Sequence, residues 1–165
     1  MKPLQAIAAA LILLSAQGHA DEHALFTTEN LTPDTALKAA RAALQKCRDE
    51  GYQVAVVVTD RNGLPQVMIR DRYAGAHTPD TARRKAWTAA SFRSGTSELV
   101  SVTAAGTTLS GIRHVEDAIM LGGGLLIDAG GSTVGAIGVS GAPGGDLDDL
   151  CAQAGIDAIE EDILF

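Results

Sequence analysis

Leu37, Ala40, Leu44 and Cys47 recur at three- and four-residue spacing, which predicts an amphipathic helix between Thr32 and Gly51. Thr32 suits the N-cap, Pro33 the first helical position and Asp34 the positive end of the helix dipole. Gly51 suits the position just past the helix end, where a left-handed backbone is wanted. The pattern then changes. Residues 53–60, QVAVVVTD, are β-branched and apolar over most of their length, which predicts a strand buried on both faces. Asn62-Gly63 is a tight-turn signal and QVMIR at 66–70 alternates, so these two strands predict a hairpin.

A second helix is expected to begin at Pro79. Its residues Ala82, Ala86, Ala89 and Ala90 form a small-residue face that permits close approach to a sheet, with Trp87 and Phe92 as apolar bulk on the flanks. Between Ser94 and Met120 the periodicity weakens. GTSELV at 95–100 fits a helical turn, and IRHVEDAIM at 112–120 fits either a short helix or a strand. GGLLID at 123–128 and STVGAIGVSG at 132–141 flank AGG and predict a second hairpin. Gly135 and Gly138 inside its second strand signal the close approach of another backbone or of a ligand. The chain closes with a helix capped by Asp146 and broken near Gly155. Hairpins alternating with helices give an α+β class: a central, mostly antiparallel sheet flanked by helices.

The N-terminal residues stand outside this pattern. Lys2, the apolar run LQAIAAALILL and the small-x-small site Gly18-His19-Ala20 have the layout of a secretory signal peptide over residues 1–20. The run is too short for a bilayer, which takes about 20 apolar residues. Residues 21–165 then form a single domain, expected in the periplasm or secreted, and no later stretch reads as a membrane span. The formal charge of −7 becomes more negative when Lys2 is removed. Such a chain is unsuited to nucleic acid backbones and to anionic membrane surfaces. Cys47 and Cys151 each fall on a terminal helix. In an oxidising compartment they are open to a disulfide; two buried thiols are the other reading.

Against that acidity, one stretch concentrates cations. TPDTA occurs at 32–36 and again at 78–82, the same helix-starting string used twice. Leu31 precedes the first copy and His77 the second, and capping does not require a histidine there. Arg83, Arg84 and Lys85 follow. The helix N-terminus and these cations act against a charged imidazole while Asp80 favours it, and the neutral ring is the form that ligates a metal. Taken alone, His77 reads as a surface or packing histidine of no special role. Other motifs fail. GVSGAPGGDLDD has no Gly-Lys-Ser/Thr ending, Ser140 does not sit in G-x-S-x-G, and His114 beside Glu116 and Asp117 lacks HExxH or HxH spacing. His114 is read as a second candidate ligand or an exposed polar side chain; His23 lies near the new N-terminus.

AGAHTPDTARRKAWTAASF, followed by GTSEL, GGGLLI and VGAIGVSGAPGGDLDDLCAQAGI, resembles the haem-binding GlcG/HbpS family from about Leu31 to Ile159. The resemblance implies a profilin-like or PAS-like domain, homo-oligomers and haem as cofactor. Relatives include extracellular haem-degrading or redox-sensing proteins and proteins associated with glycolate or diol metabolism. It therefore implies an exported haem-binding carrier, buffer or sensor. A haem-degrading or peroxide-reactive enzyme is one alternative, and a non-haem small-metabolite or assembly module is another. No acid–base pair is evident, so no catalytic residue is assigned. His77 is the iron-ligand candidate, with Tyr73 and His114 next. Trp87, Met68 and Tyr73 are candidates for apolar contact, and Arg72, Arg84 or Lys85 for the propionates.

Overall fold

The computed structural model describes residues 24–164; the expected signal peptide, its cleavage site and His23 lie outside them. Helix α1 (Pro33–Asp49) starts as its sequence requires, with the Thr32 hydroxyl accepting from the Thr35 N–H at 3.2 Å. Strands β1 (Ala55–Asp60) and β2 (Pro65–Arg70) form the first hairpin. Helices α2 (Thr78–Phe92) and α3 (Thr96–Val102) follow, then a 3-10 turn at Ser110–His114. The 112–120 stretch thus begins in a 3-10 turn and contributes no strand. Strands β3 (Gly124–Ala129) and β4 (Ser132–Ser140) make the second hairpin, and α4 (Gly145–Asp157) precedes a final 3-10 turn at Glu160–Asp162.

The sheet order is β2-β1-β4-β3, with every neighbouring pair antiparallel. The α+β class with a central antiparallel sheet is therefore observed. β1 is a central strand, which is why its valine run has no polar face. Val54, Val56 and Val58 pack with α1 and α4, whereas Ala55 and Val57 meet Ala82 and Ala86 of α2. Two helices cover one face and α2 covers the other.

Gly138 shows how tightly α2 sits. A Cβ there would strike the Ala82 carbonyl oxygen and the Ala86 nitrogen, so the approaching backbone is α2 itself. At Gly135 the neighbours are the Thr59 carbonyl and the Leu31 side chain.

Three local expectations change. Helix α4 is not broken at Gly155; it runs on to Asp157, and Gly155 packs on α1, where a Cβ would lie 2.8 Å from the Ala39 oxygen. Its N-cap is Gly144 without a side-chain cap bond, and Asp146 stands in the first turn instead. The second TPDTA copy does not repeat the first. Its Thr78 hydroxyl donates to the Gly75 carbonyl at 2.8 Å, so the helix begins one residue earlier and His77 occupies the N-cap position without capping. Cys47 and Cys151 form a disulfide between α1 and α4, with Cα atoms 5.5 Å apart.

Candidate functional site

A cleft of about 690 Å³ opens where β4 ends, bounded by the start of α2, the 51–53 and 120–122 segments and the glycine-rich 140–145 rim. Sites for cofactor-sized ligands run from about 300 to 1,000 Å³. The loop between β2 and α2 brings Tyr73 and His77 to its mouth. Buried Asp71 anchors that loop: its carboxylate accepts from Arg48 Nε at 2.9 and 3.1 Å, its N–H donates to the Val54 carbonyl, and its own carbonyl accepts from the Ala74 N–H. Arg70 closes the far side by donating to the Ala74 carbonyl at 2.6 Å. Gly75 leaves room for the imidazole, since a Cβ there would lie 2.7 Å from its Cε1. Tyr73 is 79% exposed, with the Arg72 guanidinium 5.8 Å from its ring centre.

His77, Thr81 and Lys85 follow one another at four-residue steps on α2, so one helix face carries them from the mouth to the floor. At the floor Lys85 Nζ donates to Asp148 Oδ2 at 2.7 Å and to the Val139 carbonyl at 2.8 Å. Asp148 Oδ1 accepts from the Ala142 N–H at 3.0 Å. Both side chains are almost wholly buried, 3% and 4% exposed. Burial pushes the Asp148 carboxyl above its ordinary value, against the pull of the Lys85 ammonium and the Ala142 N–H. Gly123 is required beside them: its φ is +112° and a Cβ there would sit 2.8 Å from Lys85 Nζ. The walls are apolar, with buried Met120 and exposed Val100 and Leu121.

The structure therefore brings His77, Tyr73 and Lys85 to one cleft. Arg84 and Trp87 do not line it. Arg84 donates to the carbonyls of Asp117 and Ala118, at 3.3 and 2.9 Å, and so holds the segment that leads into Met120. Arg83 bridges Asp80 and Asp117, and that hydrogen bond holds the Asp117 carboxyl below its ordinary value. Trp87 packs edge-on against Phe92, 6.3 Å between ring centres, in a small core with Leu99, Ala118 and Met120. Met68 is an exposed residue of β2, and His114 lines a separate groove beyond Val100. The basic cluster is thus divided between bracing one wall and neutralising the floor.

Asp148 is the site residue that sequence reading passed over. The signal was its phase: it lies three residues before Cys151 and four before Ala152, on the buried face of α4. A carboxylate on such a face needs a partner. The glycines of the rim serve close packing rather than a phosphate loop, as where a Cβ on Gly145 would lie 2.8 Å from Gly122 N.

A haem suits this arrangement. Among the described residues no three His, Cys, Asp or Glu side chains converge on a metal site. A porphyrin brings its own ring of nitrogens, so one imidazole from the protein is enough. The apolar walls suit the ring faces.

Residues 31–157 match the family described as "Haem degrading protein HbpS-like". A solved structure titled "Crystal Structure of HbpS" is 39% identical, covers 82% of this chain and 94% of its own, and superposes with a TM-score of 0.77. A solved PduOC–haem complex is 30% identical, covers 79% of this chain and 95% of its own, with a TM-score of 0.75. In sequence, a 15.0 kDa protein from the dhaT–dhaS intergenic region of Citrobacter freundii is 31% identical over 79% of this chain and 93% of its own length. The corrinoid adenosyltransferase PduO of the same organism is also 31% identical, but the chain spans only 31% of that enzyme's length. No helix among the described residues is long and apolar enough to cross a membrane.

Proposed function

We propose that this chain, which belongs to the HbpS-like family, binds haem in the cleft beneath His77 and serves outside the cytoplasm as a haem carrier, buffer or sensor. The observation that carries the reading is the meeting, in one cleft of about 690 Å³, of an exposed imidazole, apolar walls and a buried ammonium. The haem complex of the 30% identical PduOC supports it. His77 supplies the iron ligand, and Tyr73, Val100, Met120 and Leu121 line the ring. Apolar burial carries most of the affinity, at about 25 cal/mol per Å² removed from water. The bound group supplies redox-active iron; the protein orients it and limits its contact with water. Export rests on the N-terminal pattern, and assembly into homo-oligomers on the family.

Binding is favoured over degradation by the position of the cleft's acid, beside Lys85 about two turns of α2 below His77. Among the described lining residues Asp148 is the only carboxylate, and Lys85 and Ala142 hold both its oxygens. General acid–base work needs a group within reach of the reacting atom. Titrating the purified protein with haemin tests the reading. A saturable shift of the Soret band at one haem per chain is expected. A spectrum equal to that of free haemin overturns it, and product formation on adding ascorbate or peroxide moves the protein to the enzymes.

A further inference from the structure

The Lys85–Asp148 pair has no evident part in holding iron, yet it faces the cleft. Lys85 is the only cation among the described lining residues. An ammonium has three protons to donate; Val139 and Asp148 account for two. Asp148 is held by Lys85 on one oxygen and by the Ala142 N–H on the other. Protonating it on the Lys85 side would break one bond and keep the other. A buried ammonium left without its counter-ion is unfavourable, so any anion reaching the floor is strongly preferred there.

We infer that Lys85 is the cleft's carboxylate site: a ligand carboxylate replaces Asp148 on Lys85 Nζ while Asp148 becomes neutral. The inference rests on the haem reading, in which that carboxylate is a propionate. The proton comes from solvent, one per carboxylate seated, and no bond other than that O–H is formed. The raised proton affinity of buried Asp148 favours the exchange. Of the other titratable groups, Tyr52, Tyr73 and His77 line the cleft and none bonds to the pair; Asp149 is held by Ser97 and the Gly123 N–H. Lys85 thus selects ligands with a free carboxylate, and binding becomes tighter as the pH falls.

The test compares haemin, haemin dimethyl ester and metal-free protoporphyrin on the full-length protein. Calorimetry of the wild type in two buffers of different ionisation enthalpy should show proton uptake with haemin and protoporphyrin, and none with the ester. Asp148→Asn removes the competing charge while keeping the side chain's shape, and should tighten haemin about threefold or more. Lys85→Met should weaken haemin and protoporphyrin about tenfold and leave the ester unchanged. A purely structural pair predicts the opposite for Asp148→Asn, a loss, and equal losses for all three ligands. Equal proton uptake with haemin and its ester, or an Asp148→Asn protein that binds haemin more weakly, overturns the inference and leaves haem binding intact. A wild type that binds none of the three overturns both.

Discussion

Cys47 and Cys151 are joined by a disulfide across 104 residues of sequence, tying the last turn of α1 to the middle of α4. The bond lies beside the two supports of the cleft, since Arg48 holds the His77 loop through Asp71 and Asp148 sits one turn before Cys151. A cross-link over so long a loop restricts the unfolded chain strongly, by about 4–5 kcal/mol in the chain-entropy account. The double variant Cys47→Ala, Cys151→Ala should lose about 2–5 kcal/mol in urea denaturation. The wild type should show the same loss once denatured in reductant. A loss below about 1 kcal/mol would mean that packing alone holds α1 to α4.

His77→Ala tests the iron ligand directly. The residue is exposed and occupies an N-cap position without making a cap bond, so its removal should leave the fold's stability within about 0.5 kcal/mol. Haemin affinity should fall at least about tenfold, because even residues that only support a metal ligand are worth about 10–100-fold. The Soret position should change as well. An unchanged spectrum would transfer the ligand role to Tyr73, which shares the cleft mouth.

Gly138→Ala tests the closeness of α2 to the sheet. The added methyl would strike the Ala82 carbonyl and the Ala86 nitrogen, which are backbone atoms of a packed helix and cannot rotate aside. Overpacking of this kind costs about 1–3 kcal/mol, and this site should lie at the upper end. Alanine at Gly131, where nothing lies within 4 Å but φ is +78°, separates backbone strain from packing. Equal losses in thermal denaturation would refute the packing explanation.

The doubly buried β1, the two hairpins and the alanine face of α2 follow from local spacing, because burial on a face and side-chain period are one constraint. His77 and Tyr73 were legible as neighbours because they share one loop. The roles of Arg84 and Lys85 were not, because each depends on a partner far along the chain: the Asp117 and Ala118 carbonyls for one, Asp148 for the other. Adjacent residues on a helix point about 100° apart, so the run Arg83-Arg84-Lys85 sends its charges to different surroundings. The two TPDTA copies diverge for a similar reason. The Thr78 hydroxyl is taken by the Gly75 carbonyl, a contact that Thr32 has no counterpart for.

Asp148 should give the protein an unusual dependence of stability on pH. Its folded carboxyl binds a proton more tightly than the ordinary value of 3.8, because burial disfavours the charge more than Lys85 and Ala142 favour it. Between 3.8 and that raised value the folded state holds more protons than the unfolded one. Its contribution is therefore fully present below 3.8 and is lost as the pH rises through the folded value. Asp117 acts the other way. Its hydrogen bond from Arg83 lowers its folded value, so its contribution is present above 3.8 and is lost as the pH falls through that lowered value. Asparagine at 148 does not titrate, while Asp117 titrates in both proteins and cancels in their difference. Urea denaturation of the wild type and Asp148→Asn from about pH 3 to pH 8 should show the wild type losing stability relative to the variant as the pH rises. Parallel curves would mean that Lys85 and the Ala142 N–H balance burial at Asp148, and a difference of the opposite slope that they outweigh it.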